Sequence, residues 1–348
     1  MGVRKRKRNP KFTSLSYWRR VARRAAIGLS FAALVFCLAA NWFVRHPLEW
    51  IESKYGLLPD FIVSSLVYIG EPFADITDSF GITGRDAVCE ITDTSHIGGS
   101  IFFAGPPVRK NSKAPNDIKI AAKGEFTVAY SDKLRHPVWC AYRIPEEAKF
   151  PVTKRPGFKK DKAFKSSPTA AAYAKTGYDR GHMAPNYAIM SRFGEEAQRK
   201  TFLMSNVVPQ TPELNRGVWR EIEHRSADLF TSKWGNVWVI VGAISEGCET
   251  LSGTDIDVPT AFYQIIAVKS DSDIRAVAFL CDQVVPWKTW PRHYIVSIDE
   301  IEERSGFDFF SELDDSIEEK LESQIPTRLL PSGFINAFKS LKIHFNDH

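Results

Sequence analysis

Three side chains near the middle of the chain have the chemistry of a metal-assisted hydrolase. His182 ends an Asp-Arg-Gly-His segment, and Asn215 and Glu223 follow it, eight residues apart. A neutral imidazole can take a proton from water, an amide oxygen can bind a divalent cation, and a carboxylate can hold a water of that ion. Together they form a minimal set for hydrolysis of a phosphodiester bond.

One helix must position Asn215 and Glu223. Thr211 can cap this helix, and Pro212 suits its first turn. Four residues advance about 400° around an α-helix, so the two side chains should share one shoulder, two turns apart. The apolar stripe of the same helix is Leu214, Val218, Ile222 and Leu229. We therefore expect a single helix that directs both polar groups toward one cleft.

Strand patterns flank this helix on both sides. Residues 125–130 alternate apolar with polar or small residues, and the strand-like run at residues 138–144 follows them closely, so the two predict a hairpin. Buried strands are expected at residues 201–204, 237–241, 262–268 and 276–281. These elements predict an α+β fold with a mixed or antiparallel sheet core.

Alone, each candidate residue is more often structural, since most histidines in glycine-containing loops and most Asn–Glu pairs on helices have no catalytic role. Their joint order resembles that of the DNA/RNA non-specific endonucleases, the sugar-non-specific ββα-metal nucleases. The family's DRGH motif matches residues 179–182, and its leucine-asparagine-x-x-x-tryptophan signature matches Leu214, Asn215 and Trp219. The family's acidic residue, eight positions after the asparagine, falls on Glu223.

The resemblance implies His182 as general base and Asn215 as ligand of Mg²⁺, with Mn²⁺ or another divalent cation as an alternative. Arg180 is expected to contact phosphate, where a fixed guanidinium stabilises transition-state charge. Arg155 is a second expected phosphate contact, on a looser match of residues 154–161. Asp179 is expected to orient the loop through backbone bonds, or Arg180 through a charge pair.

The match covers about residues 98–331, including a closing helix and turn at residues 298–307, and leaves a tail at 332–348. It implies a ββα-metal catalytic motif within the α+β domain, endonucleolytic cutting and 5′-phosphate products. DNA and RNA are the expected substrates, and a homodimer is a candidate assembly. A phosphodiesterase for small substrates and a membrane-tethered DNA-binding or uptake component are the alternatives.

Basic charge is concentrated at the N-terminus. Residues 1–24 hold ten Lys or Arg and no acid, so the remaining 36 basic residues face 41 acidic ones. This distribution favours a membrane-targeting head over a globally basic nucleic-acid binder. A local basic run precedes the DRGH segment, with eight basic and three acidic residues between 143 and 165. Its positive charge could bind the phosphates of a nucleic acid. A solvated surface loop is the alternative.

Residues 25–44 are uncharged and mostly apolar, and twenty helical residues span about 30 Å. They predict one transmembrane anchor, with residues 1–24 in the cytoplasm and the catalytic domain on the other side, periplasmic or extracellular in a bacterium. A cleaved signal peptide with secretion, or a mitochondrial presequence, are the alternatives. Residues 45–97 would form a membrane-proximal connector.

None of the five cysteines has metal-site spacing, and Cys140 and Cys281 lie in apolar strand-like runs. Buried free thiols are therefore at least as well supported as disulfides at these two positions.

Overall fold

The computed structural model describes residues 88–90, 98–247, 249–270 and 273–326, with backbone alone for 88–90. The basic head, the predicted anchor at 25–44, most of the connector and the tail at 332–348 lie outside these ranges. Among the helices of the described ranges, none combines the length and hydropathy needed to cross a bilayer.

The described residues form strands and short helices in alternating groups. The strands are β1 Val88–Glu90, β2 Val108–Arg109, β3 Ile118–Ala122, β4 Phe126–Ser131, β5 His136–Ile144, β6 Asp179–His182, β7 Val207–Gln210, β8 Val237–Ile244, β9 Ala261–Lys269, β10 Asp273–Asp282, β11 Ile295–Val296 and β12 Phe307–Asp308. The α-helices are α1 Asn186–Phe193, α2 Glu195–Thr201, α3 Pro212–Arg216, α4 Val218–His224, α5 Thr231–Trp234, α6 Ile298–Ser305 and α7 Asp315–Glu322.

Eight strands form the central sheet, in the order β1-β10-β9-β8-β5-β4-β3, with β11 also paired to β10. The neighbouring strands in this sheet run antiparallel. The predicted hairpin is β4–β5, in which Val128 lies opposite Cys140. The α+β fold with an antiparallel sheet is thus confirmed.

Strand alternation gives the sheet two apolar faces. On one face, Val128 and Val239 pack in a cluster with Leu214 and Trp219 of α3 and α4. On the other, residues of the same strands pack against Ile301 of α6 and Leu321 of α7. Helices α3 and α4 therefore pack on one face of the sheet, and the two C-terminal helices, α6 and α7, cover the other face.

Several sequence expectations for the sheet and its C-terminal helix were accurate, but the strand expected at residues 201–204 is absent. Strands β8, β9 and β10 contain the three later predicted runs, and α6 occupies the predicted closing helix before Gly306, whose φ is 75°. Residues 201–204 do not form a strand; α2 ends at Thr201, and the strand follows at β7. Cys140 and Cys281 are buried free thiols, as their apolar surroundings in sequence favoured.

Candidate active site

A small β-hairpin followed by a helix carries the candidate catalytic groups. The DRGH segment is strand β6 rather than a loop, and it pairs antiparallel with β7, with His182 opposite Val207. Gly181 is required at this pairing because a Cβ there would overlap the buried side chain of Gln210. The chain then enters α3 directly after β7, which gives a ββα unit.

Asn206, just before β7, fixes the chain immediately after His182. Its Oδ1 accepts a hydrogen bond from Ala184 N at 2.9 Å, and its Nδ2 donates to Ala184 O at 3.0 Å. The Met183 N–H donates to the Asn206 carbonyl at 2.9 Å. Because Asn206 is fully buried, these bonds are shielded from water and hold the end of β6 in one position.

The His182 imidazole lies between two aromatic rings. Its centroid is 5.3 Å from that of Phe158 and 4.8 Å from that of Phe202. Burial, with a smaller contribution from the positive charge of Arg155, lowers the pKa of His182 to about 3. Its Nε2 is buried without a protein hydrogen-bond partner. The ring is therefore neutral near pH 7 and offers a nitrogen that can accept a proton.

Asp179, at the start of β6, holds the candidate metal ligand. Its Oδ2 accepts from Asn215 Nδ2 at 2.9 Å, and its carboxylate pairs with Arg216 at 2.5 and 2.7 Å. Although partial burial opposes ionisation, the bonds from Arg216 and Asn215 keep the pKa of Asp179 below its usual value. A carboxylate can only accept, so the Asn215 amide must turn its nitrogen toward Asp179 and its oxygen away.

The side chain of Asp179 thus bonds to α3, in addition to the expected charge interaction with Arg180, which also lowers the pKa of Asp179. Arg180 donates from Nε and Nη2 to the Ala170 carbonyl, at 3.1 and 2.8 Å. Its guanidinium lies 5.6 Å from the Phe158 ring centroid. The bonds to Ala170 therefore hold Arg180 in place, and its contact with the Phe158 ring puts it next to His182, which contacts the same ring.

The expected single helix is two helices, separated at Gly217. Thr211 caps α3 as predicted, since its hydroxyl accepts from Leu214 N. A Cβ at Gly217 would overlap the Glu213 carbonyl oxygen, so the break requires glycine. Asn215 consequently belongs to α3 and Glu223 to α4. The expectation that the two side chains lie two turns apart on one helix is therefore wrong.

The carboxyl group of Glu223 lies in a poorly hydrated position. Burial raises its pKa to about 8, while the charge of Arg155 and the side chain of Trp219 act in the opposite direction. Trp219 is fully buried against the Phe262 ring. The structure therefore gives Glu223 a site where a nearby positive charge would favour the ionised form.

Arg155 is the group that links His182 to Glu223. Its charge acts on both side chains and lowers both pKa values. The segment that carries it is tied to the site by Phe158, which contacts His182, and by the backbone of Lys159, bonded to Phe202 and Met204. Arg155 itself is exposed, so its guanidinium is accessible to a substrate phosphate.

The site residues fit a hydrated divalent cation held by few protein ligands. Asn215 presents an amide oxygen, Glu223 a carboxylate, and His182 a bare nitrogen. Among the described residues, three acidic groups close enough to share an ion occur elsewhere, on α6 and α7. A site with one direct oxygen ligand suits Mg²⁺, which retains most of its water shell.

One further feature of the site was missed in the sequence. The loop after β10 packs on α3, because Gln283 Oε1 accepts from Thr211 N at 2.9 Å and the Thr211 hydroxyl donates to Gln283 O at 2.5 Å. The loop exposes Val284 and Trp287, at 83% and 55% of their surface. The Trp-rich run at residues 287–290 was the available signal.

The ββα unit, with its histidine on the hairpin and its asparagine on the following helix, is the arrangement of the ββα-metal nucleases. The chain belongs to the DNA/RNA non-specific endonuclease family, which matches residues 104–316. This is a family of divalent-metal-dependent nucleases, and the protein is a nuclease.

Similar proteins carry matching names. A nuclease of a Nostoc species is 25% identical over 241 residues, and the match covers 66% of this chain and 86% of the Nostoc protein. A mitochondrial nuclease EXOG of Danio rerio is 36% identical over 156 residues, and the match covers 40% of this chain and 45% of the EXOG protein. The chain thus spans less than half of that EXOG relative.

A solved structure of EndoG in complex with the inhibitor EndoGI has the same fold. It superimposes with a TM-score of 0.53 at 21% identity, over 64% of this chain and 96% of that chain.

Proposed function

We propose that this protein is a divalent-metal-dependent, sugar-non-specific endonuclease that hydrolyses phosphodiester bonds of DNA and RNA. The observation that carries the proposal is the hydrogen bond of Asp179 to Asn215. Strand β6 thereby holds both the base, His182, and the support of the candidate metal ligand.

His182 acts as the general base. Burial between Phe158 and Phe202 keeps it neutral, and its unpartnered Nε2 accepts the proton of the attacking water. A low pKa makes the imidazole a weaker base, but it ensures that nearly every molecule has the neutral ring at pH 7. As the proton transfers, the negative charge of the bound substrate phosphate stabilises the imidazolium.

Asn215 and Glu223 hold the metal site. Asn215 would hold the ion through its amide oxygen, because Asp179 holds the amide nitrogen, and an ionised Glu223 would hold water of the ion. When bound, Mg²⁺ or a similar ion supplies Lewis-acid stabilisation of the leaving 3′ oxygen and of the phosphate charge. The ion's charge also favours ionised Glu223, against the effect of burial.

Arg155 and Arg180 contact the substrate phosphates. Arg155 is exposed beside both His182 and Glu223, so it can bind a non-bridging oxygen at the scissile position. Arg180 is anchored to Ala170 and retains nitrogen donors for phosphate, since a guanidinium has five N–H groups. Neither contact distinguishes ribose from deoxyribose.

Substrate binding extends along the basic segment at residues 143–165 and the loop that exposes Trp287. Lysines and arginines attract the phosphate backbone without reading sequence, and an exposed indole can stack on any base. The combination favours polymeric nucleic acid over a small phosphodiester.

We place the enzyme outside the cytoplasm. A single-pass anchor at residues 25–44 would put the catalytic domain across a membrane, whereas an Arg-rich, acid-free head also suits a mitochondrial presequence. The relative named mitochondrial EXOG supports the organelle alternative. Protease protection of the catalytic domain in intact cells and in isolated organelles separates the two.

The direct test is cleavage of plasmid DNA and of RNA by the full chain in Mg²⁺, compared with EDTA and with His182→Ala. Cleavage of both polymers should require the metal and fall by about 10²–10⁴-fold in the variant, with DNA binding retained. Near-normal turnover by His182→Ala would refute the mechanism. If the protein cleaved only small phosphodiesters, the assigned substrate would be a small phosphodiester and not a nucleic-acid polymer.

A further inference from the structure

A group of acidic side chains lies on the face of the sheet opposite the ββα unit. Ligand oxygens of Asp299 and Glu302 on α6 and of Glu322 on α7 all lie within 4.8 Å of one another. Ile301 and Leu321, from the same helices, belong to the core cluster of that face. The group therefore joins two helices that the apolar core already brings together.

Two members of this group are buried as deeply as core residues. Glu302 and Glu322 are each 5% exposed, whereas Asp299 is exposed. The Oε1 atom of Glu322 is buried and has no hydrogen-bond partner. A buried carboxylate oxygen without a partner is costly unless an ion or a proton occupies the space beside it.

Lys110 provides part of the compensation. Its Nζ lies 2.8 Å from Glu302 Oε2 and 3.3 Å from Asp308 Oδ1. Glu302 Oε1 accepts from the Phe309 N–H at 2.8 Å. Both carboxylate oxygens of Glu302 therefore have a partner and each retains a lone pair, whereas the Oε1 atom of Glu322 has no partner.

Repulsion between the acidic side chains adds to the cost of burying this group. Burial, followed by the charges of Glu302, Glu318 and Asp299, raises the pKa of Glu322 to about 9. Burial and neighbouring acids also raise the pKa of Glu318, whose Oε1 is a second buried oxygen without a partner. A divalent cation would displace the protons that this group otherwise holds, and its charge would neutralise the carboxylates.

We propose that Asp299, Glu302 and Glu322 bind a structural calcium ion that links α6 to α7. Ca²⁺ takes oxygen ligands at about 2.3–2.6 Å, so ligand oxygens on one ion can lie up to about 5 Å apart. Mg²⁺ is usually bound through one or two carboxylates and keeps several waters, so a group of three carboxylates suits Ca²⁺ better. Exposed Asp299 leaves the site open to solvent on one side, where water completes the coordination.

The test uses the full chain carrying Asn215→Ala, so that the catalytic metal ligand does not contribute. The metal-stripped protein is titrated with CaCl₂ by calorimetry, and its Tm is measured with and without CaCl₂. Free Ca²⁺ at about 100 times Kd should raise Tm by about 5–10 °C. MgCl₂ at the same concentration should have a much smaller effect.

Glu322→Gln, added to that background, removes one ligand charge and keeps the side chain's shape. It should weaken Ca²⁺ binding at least tenfold and abolish most of the Tm shift. Glu319→Gln is the matched control, since Glu319 lies on the same helix and is exposed; it should retain the full shift. Without metal, Glu322→Gln should itself raise Tm, so the Ca²⁺ dependence is the decisive readout.

Asp299→Asn provides a second variant with an exposed substitution, and it should weaken Ca²⁺ binding in the same way if Glu322→Gln fails to fold. An undiminished Ca²⁺ shift in both variants would overturn the proposal. So would the absence of calorimetric binding in Asn215→Ala, which would show that protons alone occupy the group.

Discussion

Asn215 donates a hydrogen bond from Nδ2 to Asp179 Oδ2 at 2.9 Å, across 36 residues of sequence. The bond connects the helix that carries the candidate metal ligand to the strand that ends in His182. Arg216, beside Asn215, pairs with the same carboxylate. Asp179 thus determines which atom of Asn215 is presented to a metal.

Replacing Asp179 with Ala should raise the Mg²⁺ concentration needed for half-maximal cleavage by about 10–100-fold, because the amide of Asn215 loses its orientation. The measurement is the initial cleavage rate over a Mg²⁺ series. Arg216→Ala removes the other partner of Asp179 and leaves the amide bond, so it should have a smaller effect. Equal Mg²⁺ dependence in wild type and Asp179→Ala would contradict this role.

His182 should titrate far below an ordinary histidine. Its folded-state pKa of about 3 lies below the unfolded value of 6.5, so the unfolded chain binds the proton first as pH falls. His182 therefore lowers stability progressively between pH 6.5 and 3, and His182→Asn should lose less Tm than wild type between pH 7 and 5. An NMR titration of the His182 ring in metal-free protein with a midpoint near 6.5 would contradict the burial argument.

Glu223 should have the opposite pH dependence. Its folded-state pKa of about 8 exceeds the unfolded value of 4.5, so stability falls as pH rises from 4.5 to 8. Glu223→Gln should raise the Tm of metal-free protein at pH 8 by about 3–6 °C, corresponding to about 1–2 kcal/mol. The gain should vanish near pH 4.5. Exposed Glu221→Gln, on the same helix, is the control and should change Tm little.

Arg155 should control both titrations. Since its charge lowers the pKa of His182 and of Glu223, Arg155→Ala should raise both pKa values. Loss of the phosphate contact should reduce single-turnover cleavage by about 10–100-fold, from about 1.5–3 kcal/mol for a charged hydrogen bond. Arg155→Lys keeps the positive charge but loses the guanidinium, so the two pKa values should change little while the cleavage rate still falls. Unchanged titrations in Arg155→Ala would exclude the guanidinium from the site.

Trp287 should contribute to binding of unpaired bases. Trp287→Ala should raise KM for single-stranded DNA by about 5–100-fold, because base stacking on an aromatic ring is worth about 1–3 kcal/mol. The value of kcat should change little, and Trp287→Phe should retain most of the affinity. A KM unchanged on single strands would show that the exposed ring contacts no base.

Much of the fold could be read from short-range patterns. The Thr211-Pro212 helix start and the β4–β5 hairpin depend on neighbouring residues, so local patterns predicted them correctly, and the family resemblance located the helix that ends before Gly306. The run at 201–204 is too short to distinguish a strand from a buried turn, and there the prediction failed.

The break at Gly217 could not be inferred from periodicity. Leu214, Val218 and Ile222 are all buried as one stripe would be, and the apolar pattern continues across the break. Glycine is needed there because the Glu213 carbonyl approaches closely, a contact that appears only once the chain is folded.

The sequence by itself determined which residue types could perform the chemistry and the family to which the chain belongs, because motif order and spacing are properties of the chain. Only the tertiary structure decided their environment. The pKa of His182 depends on rings at Phe158 and Phe202, and the orientation of Asn215 depends on Asp179. Burial and hydrogen bonding between residues distant in sequence arise from packing on the sheet, which no local pattern records.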